Sequence, residues 1–311
     1  MADTKISAAT PFTGTGAASR GAARAGSTTA YRTVDNLNAT VDPTATDDST
    51  LFYHVGSMWL RPATGEMWVC TDATASAAVW LPRSGQYSSP RNRFYAYTDC
   101  VSTNPDDSHW IAQVGGAGAA IDGVAIGTLN AFGINTLTMG TTTTGRASIT
   151  GFSAGQPHTL LLGLGRCRMQ AKAAINILSN GTETFTTRIG LIDSVSAEPT
   201  DGCYFRYTHS VNTGKWEAVT RSNGTETATD TGITVVADAW KRFEVDVNAA
   251  GTSVVFKIDG STVATNTTNI PTGAGRYTSY GVSAIKSAGT TSMSGLYIDF
   301  MEVDYQFTTA R

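Results

Sequence analysis

Tyr204, Arg206 and Trp216 bring together what a sugar site needs: flat ring faces for C–H surfaces and a guanidinium to hydrogen-bond hydroxyls. Tyr204 and Arg206 stand two apart, so on a strand they share one surface. Trp216 follows on the next expected strand. The same side chains also fit a core or protomer-interface role, since Trp and Tyr are usually largely buried. The other constellations carry less chemistry. Gly151-Phe152-Ser153-Ala154-Gly155 matches the nucleophile elbow G-x-S-x-G. That elbow needs a parallel strand before it and a helix after it; here Pro157 follows and no βαβ pattern surrounds it, so the stretch reads as a turn. Glu244 and Asp246 share a strand face about 7 Å apart, a spacing open to a glycosidase pair. Lys241 and Arg242 beside them point instead to a solvated, charge-balanced surface, and no E-x-D-x-x-E string occurs. Asn104-Pro105-Asp106-Asp107 is an oxygen-rich loop of the kind that holds Ca²⁺, without the D-x-D-x-D-G spacing. His54, His109, His158 and His209 are dispersed. Cys70, Cys100, Cys167 and Cys203 lie too far apart for a metal knuckle and read as buried free thiols. This reading assigns no catalytic residue, no metal ligand and no cofactor.

The elements that must position these residues are strands. The chain has 311 residues, 15% of them charged, a net charge of −3 and 32 glycines. That composition suits turn-rich β structure. Without a basic block, nucleic-acid binding through phosphate neutralisation is not expected. No window approaches the ~18 apolar residues of a membrane helix, and the N-terminus shows no apolar secretory segment. Synthesis in a cytoplasm, with no membrane partner, is the expectation.

Residues 1–50, rich in Gly and Ala, are too poor in large apolar side chains to build a core; they read as an extended arm held by a partner. Residues 51–83 form a small β unit of three strands around Trp59, Trp68 and Trp80. These rings make either a minimal core or a sugar-stacking platform. Residues 84–92 read as a linker, and residues 93–311 as one large β domain. There, strands are expected at Arg93–Thr98, His158–Gly163, Arg166–Ile177, Phe185–Ile192, Gly202–Tyr207, Lys215–Val219, Gly281–Lys286 and Leu296–Tyr305, with loops over Asp99–Gly127. The last strand alternates Tyr297, Asp299, Met301, Val303 and Tyr305 against Leu296, Ile298, Phe300 and Glu302.

Trp240–Ala264 declares the fold most clearly. Phe243, Val245 and Val247 alternate inward, a turn follows at Asn248–Gly251, Val254, Phe256 and Ile258 form the return strand, and Asp259-Gly260 is a hairpin signal. A Trp opening an amphipathic strand, then a Gly turn, then Ile-Asp-Gly and Val-Ala, resembles the late strands of concanavalin A-like (laminin-G-like) jelly rolls. The resemblance, spread over roughly Arg93 to Phe307, implies an all-β sandwich. That fold hosts lectins, glycanases and structural domains alike.

Met-Ala-Asp-Thr-Lys-Ile-Ser-Ala at the start is similar to the opening of many tailed-bacteriophage fibre and virion-associated proteins. The three-Trp pattern is similar to a module of phage appendages, and also to small chitin-binding modules. Together these resemblances imply a non-enzymatic virion protein: a capsid decoration, head fibre or short tail fibre. They imply attachment through residues 1–50 to a major capsid, tail or baseplate protein, a homotrimeric assembly, and a projecting sandwich able to bind host-surface glycan. A free-standing lectin or carbohydrate-binding module is the alternative, and a glycanase the third reading.

Overall fold

The computed structural model of the protein describes residues 19–20, 34–63, 66–82, 93–101, 109–124, 133–153, 156–157, 160–208 and 210–309. The chain divides into two compact units, Met1–Arg91 and Asn92–Arg311.

The small unit holds an antiparallel sheet of β1 (Met58–Arg61), β2 (Glu66–Asp72) and β3 (Val79–Pro82). Trp59, Trp80 and Tyr53 meet in tilted and edge-on contacts at 5.3–5.7 Å, and Trp59 and Trp68 are buried. The Trp residues therefore form the minimal core, not a platform. The extended, partner-held arm expected through residue 50 does not run over residues 34–50, which fold onto this sheet. Asn36 exchanges backbone bonds with Met58 and Leu60, and the Trp59 and Trp80 indoles donate to the carbonyls of Val41 and Asp47 at 2.9 Å. Bulky indoles in so small a unit need these polar caps for their N–H groups. Most of the remaining arm, and the linker at 84–92, lie outside the described residues.

The large unit is the expected all-β sandwich. Its strands are β4 (Arg93–Thr98), β5 (Ile111–Gly115), β6 (Ala119–Gly123), β7 (Asn135–Met139), β8 (Arg146–Thr150), β9 (Gly165–Ala174), β10 (Thr184–Ile192), β11 (Gly202–Thr208), β12 (Lys215–Ser222), β13 (Thr225–Thr234), β14 (Lys241–Val247), β15 (Val254–Ile258), β16 (Ser261–Asn266), β17 (Ser279–Ala288) and β18 (Ser294–Phe307). Sheet A runs β13-β12-β11-β10-β17-β8-β5. Sheet B runs β16-β15-β14-β9-β18-β7-β6, with β4 also pairing β18. The described pairings between these strands are antiparallel, and the chain crosses repeatedly between sheets, as in a concanavalin A-like jelly roll.

The Trp240–Ala264 meander supplies β14–β16, with Phe243, Val245 and Val247 inward. Asp259 and Gly260 both take positive φ, 52° and 82°, as a two-residue primed turn requires. Phe205 meets Phe243 and Phe256 edge-on at 5.1 and 5.3 Å between the sheets. Asn266, at the end of β16, ties the two sheets at one edge: its amide donates to Ala218 and Thr227 carbonyls and the Thr220 hydroxyl, and Thr229 donates back to it.

Several strand expectations are corrected. Within Asp99–Gly127 stand β5 and β6, one in each sheet, masked in sequence by glycines that break the apolar alternation. The expected strand His158–Gly163 is reduced to single bridges at Leu160 and Leu162; His158 lies outside the described residues. In β18 the register against β9 slips between Lys172 and Ala173, leaving Asp299 as the extra residue of a bulge. The bulge moves Leu296 and Ile298 onto the core face with Met301, Val303 and Tyr305. An uninterrupted alternation would have put Asp299 in the core; the slip lets it meet Lys172 Nζ at 2.6 Å.

Candidate functional site

The three residues singled out for sugar stacking do not form an open platform. Trp216 points into the sandwich, 3% exposed, with its ring 4.8 Å from Phe243. Tyr204 and Arg206 do share the outer face of sheet A, but Tyr204 is 0% exposed. Its ring lies against Gly202, where a Cβ would meet it at 2.8 Å, and packs with Ile192, Val195 and Val219 beneath the loop 193–201. The glycine two positions before Tyr204, on the same face, makes room for the ring to lie down. The glycan-stacking assignment of Tyr204, Arg206 and Trp216 is thereby corrected.

Arg206 is locked among carboxylates. Its Nε donates to Glu217 at 2.9 Å, Nη1 to Glu198 at 3.0 Å, and both Nη atoms to Glu226 at 2.8–2.9 Å. Glu198 reaches in from the loop 193–201, accepting also from the Tyr204 hydroxyl at 2.6 Å and from Arg188 Nη2. Burial pushes the Glu198 carboxyl up, but Arg188, Tyr204 and Arg206 outweigh it and hold it below the usual carboxylate range. Glu226 is lowered likewise, burial being outweighed by Arg206 and Arg221. A glycosidase acid must keep its proton near neutral pH; these two carboxyls are shifted the opposite way.

The outer face of sheet B is more open. On β4, Phe94 and Ala96 turn inward while Arg93, Tyr95 and Tyr97 turn out, with Tyr95 49% and Tyr97 43% exposed. Strand register extends this strip across the sheet in two rows: Tyr97, Glu302, Gln170, Glu244 and Lys257, and Tyr95, Asp304, Arg168, Asp246 and Val255. Tyr97 stacks on Phe300 at 6.3 Å and its hydroxyl donates to Asp99 at 2.8 Å. The Arg93 guanidinium lies 5.4 Å from the Tyr95 centroid and grips Asp304 bidentately at 2.6 and 2.9 Å. Burial and the neighbouring Glu302 raise the Tyr95 hydroxyl above its ordinary value, so it stays a donor. Arg168 reaches Glu302 at 3.3 Å, and a small cleft of ≈ 120 Å³ opens between Arg166, Arg168, Asp304 and Gln306.

Glu244 and Asp246 belong to this face as charge-balanced surface residues. Glu244 accepts from Gln170 and from Lys257 Nζ at 2.6 Å, and Asp246 pairs with Arg166 at 2.7 Å. The alternation Arg93-x-Tyr95-x-Tyr97 was the sequence signal for the open aromatic strip. Phe152–Ser153 pairs antiparallel with Gln156–Pro157, so Ser153 sits in a tight hairpin and not in an elbow. The Asn104–Asp107 loop and His209 lie outside the described residues. Among the described residues, no three His, Cys, Asp or Glu side chains converge as a metal-ligand set, and no helix is long and apolar enough to cross a membrane.

A protein-family profile described as SO2946-like, C-terminal domain, matches residues 130–299. Among solved structures the chain is similar to a protein of unknown function, SO2946, from Shewanella oneidensis MR-1. The identity is 15%, over 73% of this chain and 92% of that one, with a TM-score of 0.56. It is also similar to the carbohydrate recognition domain of Emp47p, with 12% identity, 71% and 97% coverage and a TM-score of 0.45. An endo-1,3-beta-glucanase from Streptomyces sioyaensis matches with 10% identity, 72% and 100% coverage and a TM-score of 0.44. No curated protein matches the chain.

Proposed function

The chain belongs to the SO2946-like C-terminal domain family, and from that starting point we propose that its sandwich is a non-enzymatic, saccharide-binding domain that reads sugars with the outer face of sheet B. The observation that carries the reading is the exposed pair Tyr95 and Tyr97, set on a strand beside ion-paired Arg93, Arg168, Glu302 and Asp304. Ring faces take the C–H side of a pyranose, while fixed carboxylates and guanidinium groups bond its hydroxyls. Strand mounting supplies the rigidity that recognition needs. Binding is favoured over cleavage because the carboxylates on both outer faces are held by arginines and lysines, with Glu198 and Glu226 lowered in pKa. Glycan-array binding of the full chain, set beside Tyr95→Ala and Tyr97→Ala, tests the reading. Loss of binding in folded variants supports it, and an unchanged profile refutes it. Release of new reducing ends from a polysaccharide would replace it with a glycanase.

The same proposal places the domain on a bacteriophage virion, as a head fibre, capsid decoration or tail fibre anchored through its N-terminal region. Besides the opening residues, the small unit supports this reading. Leu51, Phe52 and Val55 are exposed in one short stretch, Phe52 at 70%, on a unit whose core is already filled by Trp59, Trp68 and Tyr53. A docking partner on the particle would cover these adjacent apolar side chains. Deleting residues 1–33 should leave both units folded and abolish incorporation into particles. Normal incorporation would end the anchor assignment.

A further inference from the structure

On the outer face of sheet A, one row of register partners holds a guanidinium that is only part used. Glu217, Arg206, Arg188, Ser283 and Ser148 stand opposite one another across β12, β11, β10, β17 and β8. Arg206 is saturated by three carboxylates. Arg188 is 4% exposed and spends only Nη2, on Glu198, while its Nε and Nη1 have no hydrogen-bond partner. The adjacent Ser283 hydroxyl is also fully buried and unpartnered. Leaving such donors unmade in a low-dielectric site is costly, and a planar carboxylate laid along the Nε–Nη2 edge in place of Glu198 would engage Nε as well as Nη2. The carboxylate that sits there now belongs to the chain itself. Glu198 hangs from the surface loop 193–201, with its side chain 33% exposed, and is clasped by Arg188, Arg206 and the Tyr204 hydroxyl. Among the described residues, Glu198 is the one acid hydrogen-bonded to Arg188.

We propose that Arg188, Arg206, Tyr204 and Ser283 form a second binding site that takes the carboxylate of a uronic-acid-containing glycan, and that Glu198 occupies it as a tethered stand-in. The site lies on the sheet opposite the Tyr95–Tyr97 strip, so it extends the saccharide-binding reading and does not depend on those tyrosines. A resident carboxylate competes with an incoming one. Removing its charge therefore weakens the competitor: Arg206 keeps Glu217 and Glu226, whereas Arg188 is left with a neutral amide oxygen that an incoming carboxylate can displace.

The test titrates the full chain with a galacturonate trisaccharide, an uncharged galactose trisaccharide and acetate. Glu198→Gln should bind the galacturonate at least tenfold more tightly than the wild type does. It should melt lower than the wild type without ligand and recover its melting temperature with galacturonate alone. Adding Arg188→Lys, which keeps the charge but removes the planar fork, should abolish that gain. If the double variant does not fold, the comparison of Glu198→Gln with wild type decides. Equal affinity in the two, equal binding of the uncharged trisaccharide, or equal protection by acetate overturns the proposal. Tyr95→Ala, read on neutral glycans, tests the other face separately.

Discussion

Trp216 was the residue whose type argued most for a sugar platform, and Trp216→Ala separates core from site. The indole packs 4.8 Å from Phe243 and 6.1 Å from Tyr207 in the middle of the sandwich. Replacing it by alanine removes a large buried ring and leaves a cavity bounded by strands that cannot close. Trp→Ala changes at such sites cost about 3–5 kcal/mol. For a domain of this size that corresponds to a melting temperature lower by about 6–20 °C. Trp216→Phe, which keeps a ring against Phe243, should recover at least half of the loss. The assay pairs thermal unfolding with glycan binding at a temperature where the variant is folded. Destabilisation of that size with unchanged binding per folded molecule is the expected outcome. A melting temperature within about 2 °C of wild type, together with lost binding, would refute the burial argument and return Trp216 to the site.

Other expectations follow from the same geometry. Glu183 is held at a pKa of about 2 by Lys286 and the Thr291 N–H, and Glu198 and Glu226 are also lowered. Their folded values lie below the unfolded ones, so their contribution is complete above the unfolded carboxylate range and is lost as pH falls toward the folded values. Melting temperature should decline from about pH 5 downward, and Glu183→Gln should flatten that decline; a pH-independent curve would contradict it. Asn266→Ala removes three donor contacts that tie the sheets, and at 0.5–1.5 kcal/mol each should cost roughly 2–4 kcal/mol in urea unfolding. A Cβ on Gly151 would overlap the Tyr280 ring, itself fixed by a 2.8 Å bond to the His109 carbonyl, so Gly151→Ala should destabilise by about 1–3 kcal/mol. Burial pushes the Cys100 thiol up to about 12 and raises Cys70, Cys167 and Cys203 as well. All four should resist thiol reagents until the protein unfolds, and rapid native labelling would show otherwise.

The sandwich was legible because its strands obey period two where one face is wet. Trp240–Val247 gave its inward set correctly, and Asp259-Gly260 gave its turn. Legibility failed where a local device breaks the period. The Asp299 bulge exchanges the faces of β18 halfway along, and glycines hide β5 and β6. The site was harder to read, because strand alternation tells which residues face outward but not which outward residues a loop then covers. Tyr204 and Arg206 do face out, yet Glu198 and Val195 arrive from the loop 193–201 and close over them. Conversely, the alternation of Arg93, Tyr95 and Tyr97 shows which side chains share a face, but not whether that face is left open.

Binding of the full chain to neutral glycans, measured in parallel with the Tyr95→Ala/Tyr97→Ala double variant, tests the central claim most directly. Both tyrosines are about half exposed, so the double variant should stay folded, melting somewhat lower as the Phe300 and Arg93 contacts go, while binding per folded molecule falls at least tenfold, the equivalent of about 1.4 kcal/mol, with no sugar released by either protein. Undiminished binding by the folded double variant would contradict the assignment of the sugar face to sheet B.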